Sequence, residues 1–246
     1  MRHAVVLFLL SCLLAISSHQ TGSFRVPILW LALDFMLLGI AHGKGWHGLF
    51  GKKDDGRLAW WSWLIFLPLH AYTSLVWHLS RILSREPKND RLNDRIVVGR
   101  RVLGGELEGD FANHVDLTSE FQEPRQYRIS RGSVAFPILD ASAPHPEDLE
   151  TAIERLSDGP TFIHCAQGHG RTGLFALALL LKSGDARTIQ EGLAMLVKVR
   201  PAVRLNGPQM KCIEDFATHL SRRTGPSAEG EFAPAEKTTK DPAAFR

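Results

Sequence analysis

A cysteine and an arginine separated by five residues lie in the segment of the chain best suited to chemistry, residues 161–173 (TFIHCAQGHGRTG). A short apolar run ends at His164, a loop containing Gly168 and Gly170 follows, and a helical pattern begins near Arg171. Such a loop can point successive backbone N–H groups inward, and the first turn of a helix adds further free donors. The segment therefore predicts a cradle for a phosphate-sized dianion.

Cys165 is expected at the base of this cradle, where the donors that attract phosphate also stabilise a thiolate, a strong nucleophile. Arg171 can bind two phosphate oxygens with its planar guanidinium. Thr172 can donate its hydroxyl to the sulfur when the thiolate departs. The alternative is a buried structural thiol. The residues expected to bind phosphate are Ala166, Gln167, Gly168, His169, Gly170 and Arg171.

The segment resembles the signature of the cysteine-dependent protein tyrosine phosphatase superfamily, and in particular of the small dual-specificity phosphatases. The resemblance covers about residues 95–222, roughly half the chain. It implies an α/β fold and hydrolysis of phosphate monoesters through a phosphocysteine, with no metal and no cofactor. The positions that carry it are His164, Cys165, Gly168, Arg171, Thr172 and Gly173.

Residues 136–142 (FPILDAS) resemble the general-acid loop of the same superfamily. Asp140 would protonate the leaving oxygen and then serve as base for the attacking water. The alternative is a turn aspartate, because Asp-x-Ser is also turn chemistry. Asp148 is the competing carboxylate, although it falls at a helix start, where an acidic residue favours the helix dipole.

Four further residues are supporting candidates. Residues 199–209 resemble the superfamily's closing segment, in which Gln209 would position water and Asn206 would brace the loop; a plain role at the entry of a helix fits both equally. His164 is expected to brace the phosphate loop rather than transfer protons. His169 either adds positive charge when protonated or faces solvent.

The elements around these residues alternate between strands and helices, which indicates an α/β domain built on a mostly parallel sheet. The resemblance makes this a sheet of dual-specificity-phosphatase type flanked by helices. The predicted strands are 95–98, 114–117, 133–139 and 161–164, and the predicted helices are 146–156, 171–182, 187–199 and 208–222.

Three apolar stretches near the N-terminus, residues 4–18, 26–41 and 59–79, predict two or three transmembrane or membrane-embedded helices in residues 1–83. A spanning helix needs roughly 17–20 apolar residues, and only the third stretch meets that limit comfortably. Tryptophans near its ends fit an aromatic belt. The alternative for the first stretch is a cleaved signal peptide.

The remaining domain boundaries follow from composition. Residues 84–94 are polar and indicate a linker, residues 95–223 form the predicted phosphatase domain, and residues 224–246 have the composition of a disordered tail. Residues 81–101 contain seven Lys and Arg, and residues 44–57 contain four. The positive-inside rule, with the need of a thiolate for a reducing compartment, favours an integral membrane protein whose catalytic domain is cytoplasmic.

The substrate is less constrained than the chemistry. A net charge of +3 excludes a dedicated nucleic-acid binder, and three cysteines exclude a disulfide framework. Phosphotyrosine, phosphoserine or phosphothreonine of proteins is the favoured substrate, because the loop lacks the lysines that lipid-directed relatives often carry. Membrane attachment favours the alternative, a phospholipid such as phosphatidylglycerophosphate. A catalytically inactive phospho-binding module is a third reading, against which the intact Cys165, Arg171 and Asp140 argue.

Overall fold

The computed structural model describes residues 2–130 and 132–224. Its centre is a five-stranded sheet of order β1-β2-β5-β3-β4, in which the last four strands run parallel and β1 is antiparallel to β2. The α/β prediction is confirmed, and the four predicted strands match observed strands within two residues at each end. The strands are β1 Asn89–Arg91, β2 Ile96–Arg100, β3 Asn113–Thr118, β4 Ser133–Ile138 and β5 Thr161–Cys165.

Nine α-helices are assigned in the described residues, and the four predicted for the catalytic domain correspond to α6–α9. The short α5, a single turn, was not predicted. The helices are α1 Arg2–Ser17, α2 Arg25–Lys44, α3 Trp60–Ile65, α4 Leu67–Leu83, α5 Arg125–Arg128, α6 Pro146–Glu154, α7 Gly170–Ser183, α8 Ile189–Val199 and α9 Gly207–Thr224.

Alternation along the strands sends side chains to two separate cores. Val98 and Ile163 contribute to a large core shared with α6–α9. Val97 and Phe162, their neighbours along β2 and β5, point to the opposite face and pack with Tyr127 of α5. Both faces of the sheet are therefore covered, as a parallel sheet requires.

The segment predicted as a linker, residues 84–94, contributes the edge strand β1, Asn89–Arg91, to the sheet. Asp90 pairs with Val98 in the β1–β2 ladder, and its carboxylate accepts a hydrogen bond of 2.7 Å from the buried Arg200. Polar composition concealed this strand, because an edge strand of three residues needs few apolar side chains. The predicted tail, apart from Thr224 at the end of α9, lies outside the described residues.

Helices α1 and α2 form an antiparallel hairpin. Ser11 Oγ donates a hydrogen bond of 2.6 Å to the carbonyl of Ala32. A Cβ on Gly39 would lie 3.2 Å from the carbonyl oxygen of Ala4, so the two backbones approach closely. By length and composition alone, two helical segments could cross a membrane, His3–Gln20 and Gly22–Lys44.

The third apolar stretch does not form the single long helix that its length suggests. Phe66 separates α3 from α4, and Pro68 occupies the first turn of α4. Proline lacks an N–H and its ring clashes with the preceding helical turn, so a continuous helix is broken there. Asp34 of α2 accepts a hydrogen bond of 3.2 Å from the Leu69 N–H at the start of α4. The two candidate membrane-crossing segments therefore come from the first two stretches, not from the third.

Candidate active site

The phosphate loop connects β5 to α7 and encloses Cys165, which is 3% exposed. The N–H of Gly168 donates a hydrogen bond of 3.3 Å to the Cys165 sulfur. Gly168 has a φ of +76°, and a Cβ there would lie 2.5 Å from the carbonyl of Gly99 on β2. Only glycine fits both the turn and the close approach, so the loop's shape depends on this position.

Arg171 lies in the first turn of α7 and is almost fully buried. Its guanidinium donates two hydrogen bonds of 2.8 Å to Glu120 and one of 3.0 Å to the Ile138 carbonyl. Its Nε is buried and has no hydrogen-bond partner among the described residues. Protein groups thus hold the two terminal nitrogens of the guanidinium, while Nε remains available to an incoming anion.

Glu120 is a site residue that the sequence analysis missed. Burial would raise the pKa of Glu120, but the adjacent Arg171 lowers it below its ordinary value, so the carboxylate is ionised. For Arg171 the effects are reversed. Burial alone would lower its pKa, but Glu120 and Asp140 raise it above its usual range. Glu120 follows the carboxyl end of β3, beside the end of β5, where parallel strands present functional side chains. This position after β3 was the sequence signal that could have identified Glu120 as a site residue.

Asp140 lies on a turn after β4, with its side chain 81% exposed and its Oδ1 3.3 Å from an Arg171 nitrogen. The structure therefore brings Cys165, Arg171 and Asp140 to one cleft. The competing carboxylate, Asp148, is exposed in the first turn of α6 and does not line this cleft.

Asn206 and Gln209 bind the acid loop and cap α9 at the same time. The Asn206 amide donates to the Ala141 carbonyl at 2.8 Å, and the Gln209 amide donates to the Ser142 carbonyl at 3.2 Å. Their side chains also exchange hydrogen bonds with each other's backbone N–H, as in a capping box. The helix-entry contacts and the contacts with the acid loop therefore coexist, and the water-positioning role of Gln209 stays a prediction. Ala141 has a φ of +57°, a strained conformation for a non-glycine residue, and these bonds hold it.

His47, which precedes the catalytic domain by some fifty residues, also holds the acid loop. Its Nδ1 accepts a hydrogen bond of 3.2 Å from the Leu139 N–H, and its Nε2 lies 3.1 Å from the Ala143 carbonyl. Burial lowers the pKa of His47, and a neutral imidazole is the form that can accept at Nδ1. The Leu139 side chain packs in the core of the N-terminal helices.

Arg200 braces the phosphate loop from beneath. It is 2% exposed and donates hydrogen bonds to the carbonyls of Gly168, at 2.8 Å, and Gln167, at 3.0 Å. Its other nitrogen reaches Asp90 of β1 at 2.7 Å. By binding the loop's carbonyls, Arg200 leaves the loop's N–H groups for the substrate side. The sequence analysis included residue 200 only as part of the closing segment.

The other predicted phosphate-loop residues have different surroundings. The Ala166 carbonyl accepts a hydrogen bond of 3.0 Å from the indole of Trp77 on α4. Gly170 begins α7 and lines the cleft. His169 also lines the cleft and is paired with Glu86 at 2.7 Å, so it neither faces solvent freely nor stands as an isolated charge.

The expected hydrogen bond from Thr172 to the Cys165 sulfur is not formed in this structure. Thr172 is fully buried in the first turn of α7, and its hydroxyl has no hydrogen-bond partner among the described residues. The Gly168 backbone N–H donates to the sulfur instead. Thr172 is adjacent to the nucleophile's loop, but the contact that its proposed role requires is absent here.

His164 lies in a buried cluster behind the loop. Its Nε2 is 3.4 Å from Glu123, and Asp116 lies beside them. Burial would lower the pKa of His164, but Glu123 and then Asp116 raise it above its ordinary value. These three residue types could ligate a cation, yet the ammonium of Lys52, 2.5 Å from Asp116, already supplies positive charge there. The cluster therefore braces the end of β5 through charge, and the role of His164 in bracing the phosphate loop stays a prediction.

Lys52 belongs to the N-terminal region, so that region completes the catalytic domain's buried polar network. Besides Asp116, its ammonium donates to the Thr118 carbonyl at 2.5 Å and the Phe121 carbonyl at 2.8 Å. The side chain is 1% exposed. Residues 1–83 are accordingly not a separate anchor joined by a linker, which the sequence division implied.

The cleft over Cys165 has a volume of about 420 Å³ and is shared by both regions of the chain. Arg171, Asp140 and the phosphate loop form its catalytic end. Phe35 of α2 and Trp77 of α4 are among the N-terminal residues that line it. The arrangement can bind a phosphate group next to a nucleophilic sulfur and a carboxylic acid.

Known proteins resemble the chain in structure rather than in sequence. No protein-family model matches it, and no curated protein matches it. PTPMT1 in complex with PI(5)P has a TM-score of 0.50 and 12% identity, over 56% of this chain and 99% of that one. Tk-PTP in its active form has a TM-score of 0.46 and 22% identity, over 54% of this chain and 97% of that one. Human DUSP28 has a TM-score of 0.47 and 15% identity, over 55% of this chain and 99% of that one. The α/β domain thus shares its fold with PTPMT1.

Proposed function

We propose that this chain is a phosphatase that hydrolyses phosphate monoesters through a phosphocysteine. One observation carries the proposal: Cys165, the unpartnered Nε of Arg171 and the carboxyl of Asp140 meet in a single cleft. A nucleophile, an anion-binding guanidinium and an acid are the three functions that phosphate transfer to a cysteine needs. The phosphatase fold agrees with that chemistry.

In the first step, the phosphate occupies the loop, and its oxygens accept hydrogen bonds from the loop N–H groups and from Arg171. The substrate displaces Asp140 from its contact with the guanidinium. The Cys165 thiolate then attacks phosphorus, the P–O bond to the leaving group breaks, and protonated Asp140 gives its proton to the departing oxygen. Arg171 and the N-terminus of α7 stabilise the negative charge on the equatorial oxygens.

In the second step, water attacks the phosphocysteine. Asp140, now a carboxylate, takes a proton from that water as the P–S bond breaks and the Cys165 thiolate is released. Inorganic phosphate leaves, and Asp140 is again protonated for the next turnover. The Gly168 N–H, which already contacts the sulfur, stabilises the departing thiolate. Glu120 and Arg200 act as positioning residues, since each fixes a group that contacts phosphate.

We also propose that the α1–α2 hairpin inserts into a membrane with the catalytic domain on the cytoplasmic side. Apolar side chains near the hairpin tip are strongly exposed, including Ile16 at 69%, Phe24 at 71% and Val26 at 70%. The turn between the helices, residues 18–24, contains no Lys or Arg and is followed by the single Arg25, whereas residues 44–57 contain four. The hairpin places both of its ends on one side, and the positive charge favours the cytoplasm.

The test uses the purified full chain in detergent with 4-nitrophenyl phosphate as substrate. Wild-type protein is expected to release phosphate and, after acid quench with a ³²P-labelled substrate, to carry label on Cys165. Cys165→Ser is expected to lose at least about 10³-fold in turnover, and Cys212→Ser, a matched thiol on α9, to lose little.

Asp140→Asn separates the two roles of the acid. It is expected to slow a substrate with a poor leaving group by about 10²-fold, and 4-nitrophenyl phosphate much less, because nitrophenolate departs without a proton. A folded wild-type protein without Cys165-dependent turnover would contradict the proposal. It would favour a phospho-binding module, especially if that protein still bound inorganic phosphate.

A further inference from the structure

One wall of the catalytic cleft is built by the N-terminal helices and is apolar. This wall continues directly from the phosphate loop, because the same cavity contains Cys165 and Arg171. A hydrocarbon group attached to a bound phosphate would therefore contact this wall. Its apolar members are Phe35, Leu38, Phe50, Leu69, Tyr72 and Val76.

The rim of the cleft is apolar and exposed as well. Tyr72 and Val76 line the cavity, yet they are 50% and 42% exposed, so they lie where it opens. Leu79, three residues further along α4, is 49% exposed. An apolar group that leaves the cleft along this side of α4 thus meets further apolar surface.

The cleft lies close to the base of the hairpin. Phe35 and Leu38 occupy the C-terminal half of α2, while the exposed tip of the hairpin is formed by the start of α2 and the end of α1. Trp60, which is 74% exposed, and Trp63, which is 43% exposed, lie on α3, whose Ile65 carbonyl accepts a hydrogen bond of 2.6 Å from the Trp30 indole of α2; exposed tryptophans of this kind suit the headgroup region. Insertion of the tip would place the mouth of the cleft at the surface of the bilayer.

The charges in the cleft suit a single phosphate group. Arg171 is already balanced by Glu120 and Asp140, and His169 is paired with Glu86. His42 is the other histidine on the lining, and no lysine lines the cleft within the described part of the chain. A second phosphate monoester on the same headgroup would lack a cationic partner.

We infer that the substrate is an amphiphile, a lipid with one terminal phosphate monoester, whose hydrocarbon lies against α2 and α4 while its phosphate binds at Cys165. The inference rests on the proposed phosphatase function and specifies its substrate class. A phosphopeptide fits less well, because its backbone N–H and C=O groups would lose hydrogen bonds to water against an apolar wall. Proteins were favoured from the sequence because the phosphate loop lacks lysines, and the sequence could not place the N-terminal helices beside Cys165.

The first test is a series of soluble n-alkyl phosphates, from butyl to octyl, assayed with the full chain below their micellar concentrations. Monomeric substrates separate the effect of the cleft from any effect of a lipid surface. The kcat/KM is expected to rise by about fourfold for each methylene that the cleft buries. A kcat/KM that does not change with chain length would overturn the inference.

A pair of variants locates the effect on α4. Val76→Asn puts an amide into the wall, and Leu75→Asn makes the same kind of change at a neighbouring residue that does not line the cleft. The readout is the ratio of octyl to butyl phosphate kcat/KM, which does not depend on the fraction of folded protein. Val76→Asn is expected to lower this ratio at least fivefold and Leu75→Asn less than twofold. Equal effects of the two variants would contradict the assigned wall.

The last arm compares dioleoyl phosphatidate in phosphatidylcholine vesicles with a phosphotyrosine peptide, using full chain reconstituted in the same vesicles. Faster Cys165-dependent turnover of phosphatidate supports the inference, and faster turnover of the peptide overturns it. Absence of turnover on 4-nitrophenyl phosphate would instead remove the underlying phosphatase proposal. The two failures are therefore distinguishable.

Discussion

Helices α1 and α7 are both apolar, but they present their side chains to different surroundings. Leu174, Phe175 and Leu177 of α7 are fully buried between the sheet and its neighbouring helices. Val6 and Leu13 of α1 are 62% and 63% exposed. Apolar composition alone therefore does not separate a core helix from one that needs a lipid or another apolar environment; what surrounds the helix does.

The two regions also differ in what they contribute to the site. The catalytic domain supplies the reacting groups on the carboxyl ends of its strands and on α7. The N-terminal region supplies Lys52 behind the sheet, His47 under the acid loop and Trp77 on the phosphate loop. The comparison indicates that residues before β1 shape the site. Substitutions at Lys52, His47 and Trp77 test this, and one at Glu120 tests the contribution of the catalytic domain; they follow in order of decreasing expected effect.

The largest effect is expected from Lys52→Met, which leaves Asp116 buried without its cation. Removing one partner of a buried ion pair costs about 3–5 kcal/mol. The free energy of unfolding, measured by urea titration of the full chain in detergent, is expected to fall by that amount. Lys53→Met, at the adjacent exposed lysine, is expected to change it by less than about 0.5 kcal/mol.

The same pair of proteins gives a pH dependence. Burial would raise the pKa of Asp116, but Lys52 and His164 lower it well below its ordinary range. This ionised carboxylate stabilises the wild-type fold above the unfolded pKa of about 4, and the stabilisation is lost as pH falls through the lower folded value. The deficit of Lys52→Met is thus expected to narrow as pH falls below about 4. A deficit that is constant over this range would contradict the assignment.

The next effect is expected at Glu120, where Glu120→Gln removes the charge that fixes Arg171. The kcat/KM for 4-nitrophenyl phosphate is expected to fall by about 10–100-fold, and competitive inhibition by inorganic phosphate is expected to weaken in parallel. Glu108→Gln, an exposed control, is expected to change neither by more than twofold. Unchanged phosphate affinity in Glu120→Gln would argue that Arg171 is held in place by other groups.

His47→Ala is expected to affect the acid step specifically, since His47 acts through the loop that carries Asp140. Turnover of octyl phosphate, a poor leaving group, is expected to fall by about tenfold, with less than a threefold change for 4-nitrophenyl phosphate. His47→Gln, which retains an acceptor and a donor, is expected to recover part of the loss. An equal loss on both substrates would show a general structural role instead.

The smallest effect is expected from Trp77→Phe, which removes one hydrogen bond to the Ala166 carbonyl and keeps most of the packing. A single neutral hydrogen bond contributes about 0.5–1.5 kcal/mol, so kcat/KM is expected to change by about two- to tenfold. The control is Trp60→Phe, an exposed indole on α3. A larger loss in the control than in Trp77→Phe would contradict the contact of α4 with the phosphate loop.

The features that sequence analysis predicted correctly are local. The strand–loop–helix around Cys165 lies within thirteen residues, and its glycines, apolar run and arginine determine its shape without help from distant segments. The four parallel strands were similarly visible as short apolar runs. Asp140 was located by its loop, and the structure places it 3.3 Å from Arg171.

The features that sequence analysis missed depend on distant contacts or on single residues. Lys52 and Asp116 are 64 residues apart, and nothing near either residue marks the other as its partner. Pro68 breaks an apolar stretch that passes a length criterion. The three-residue β1 is held by its neighbours β2 and Arg200 rather than by its own pattern. The shared cleft follows from these contacts, which explains why the substrate could not be assigned from the loop alone.

The central claim is that one cleft joins the phosphate loop to the N-terminal helices, and photo-crosslinking tests it most directly. An octyl phosphate with a diazirine at its far end would be irradiated with the full-length Cys165→Ser protein, and labelled residues would be mapped by mass spectrometry. Label is expected on the cleft-lining residues of α2 and α4, and inorganic phosphate is expected to suppress it. Label confined to the catalytic domain, or label on α2 and α4 that phosphate does not reduce, would contradict the account.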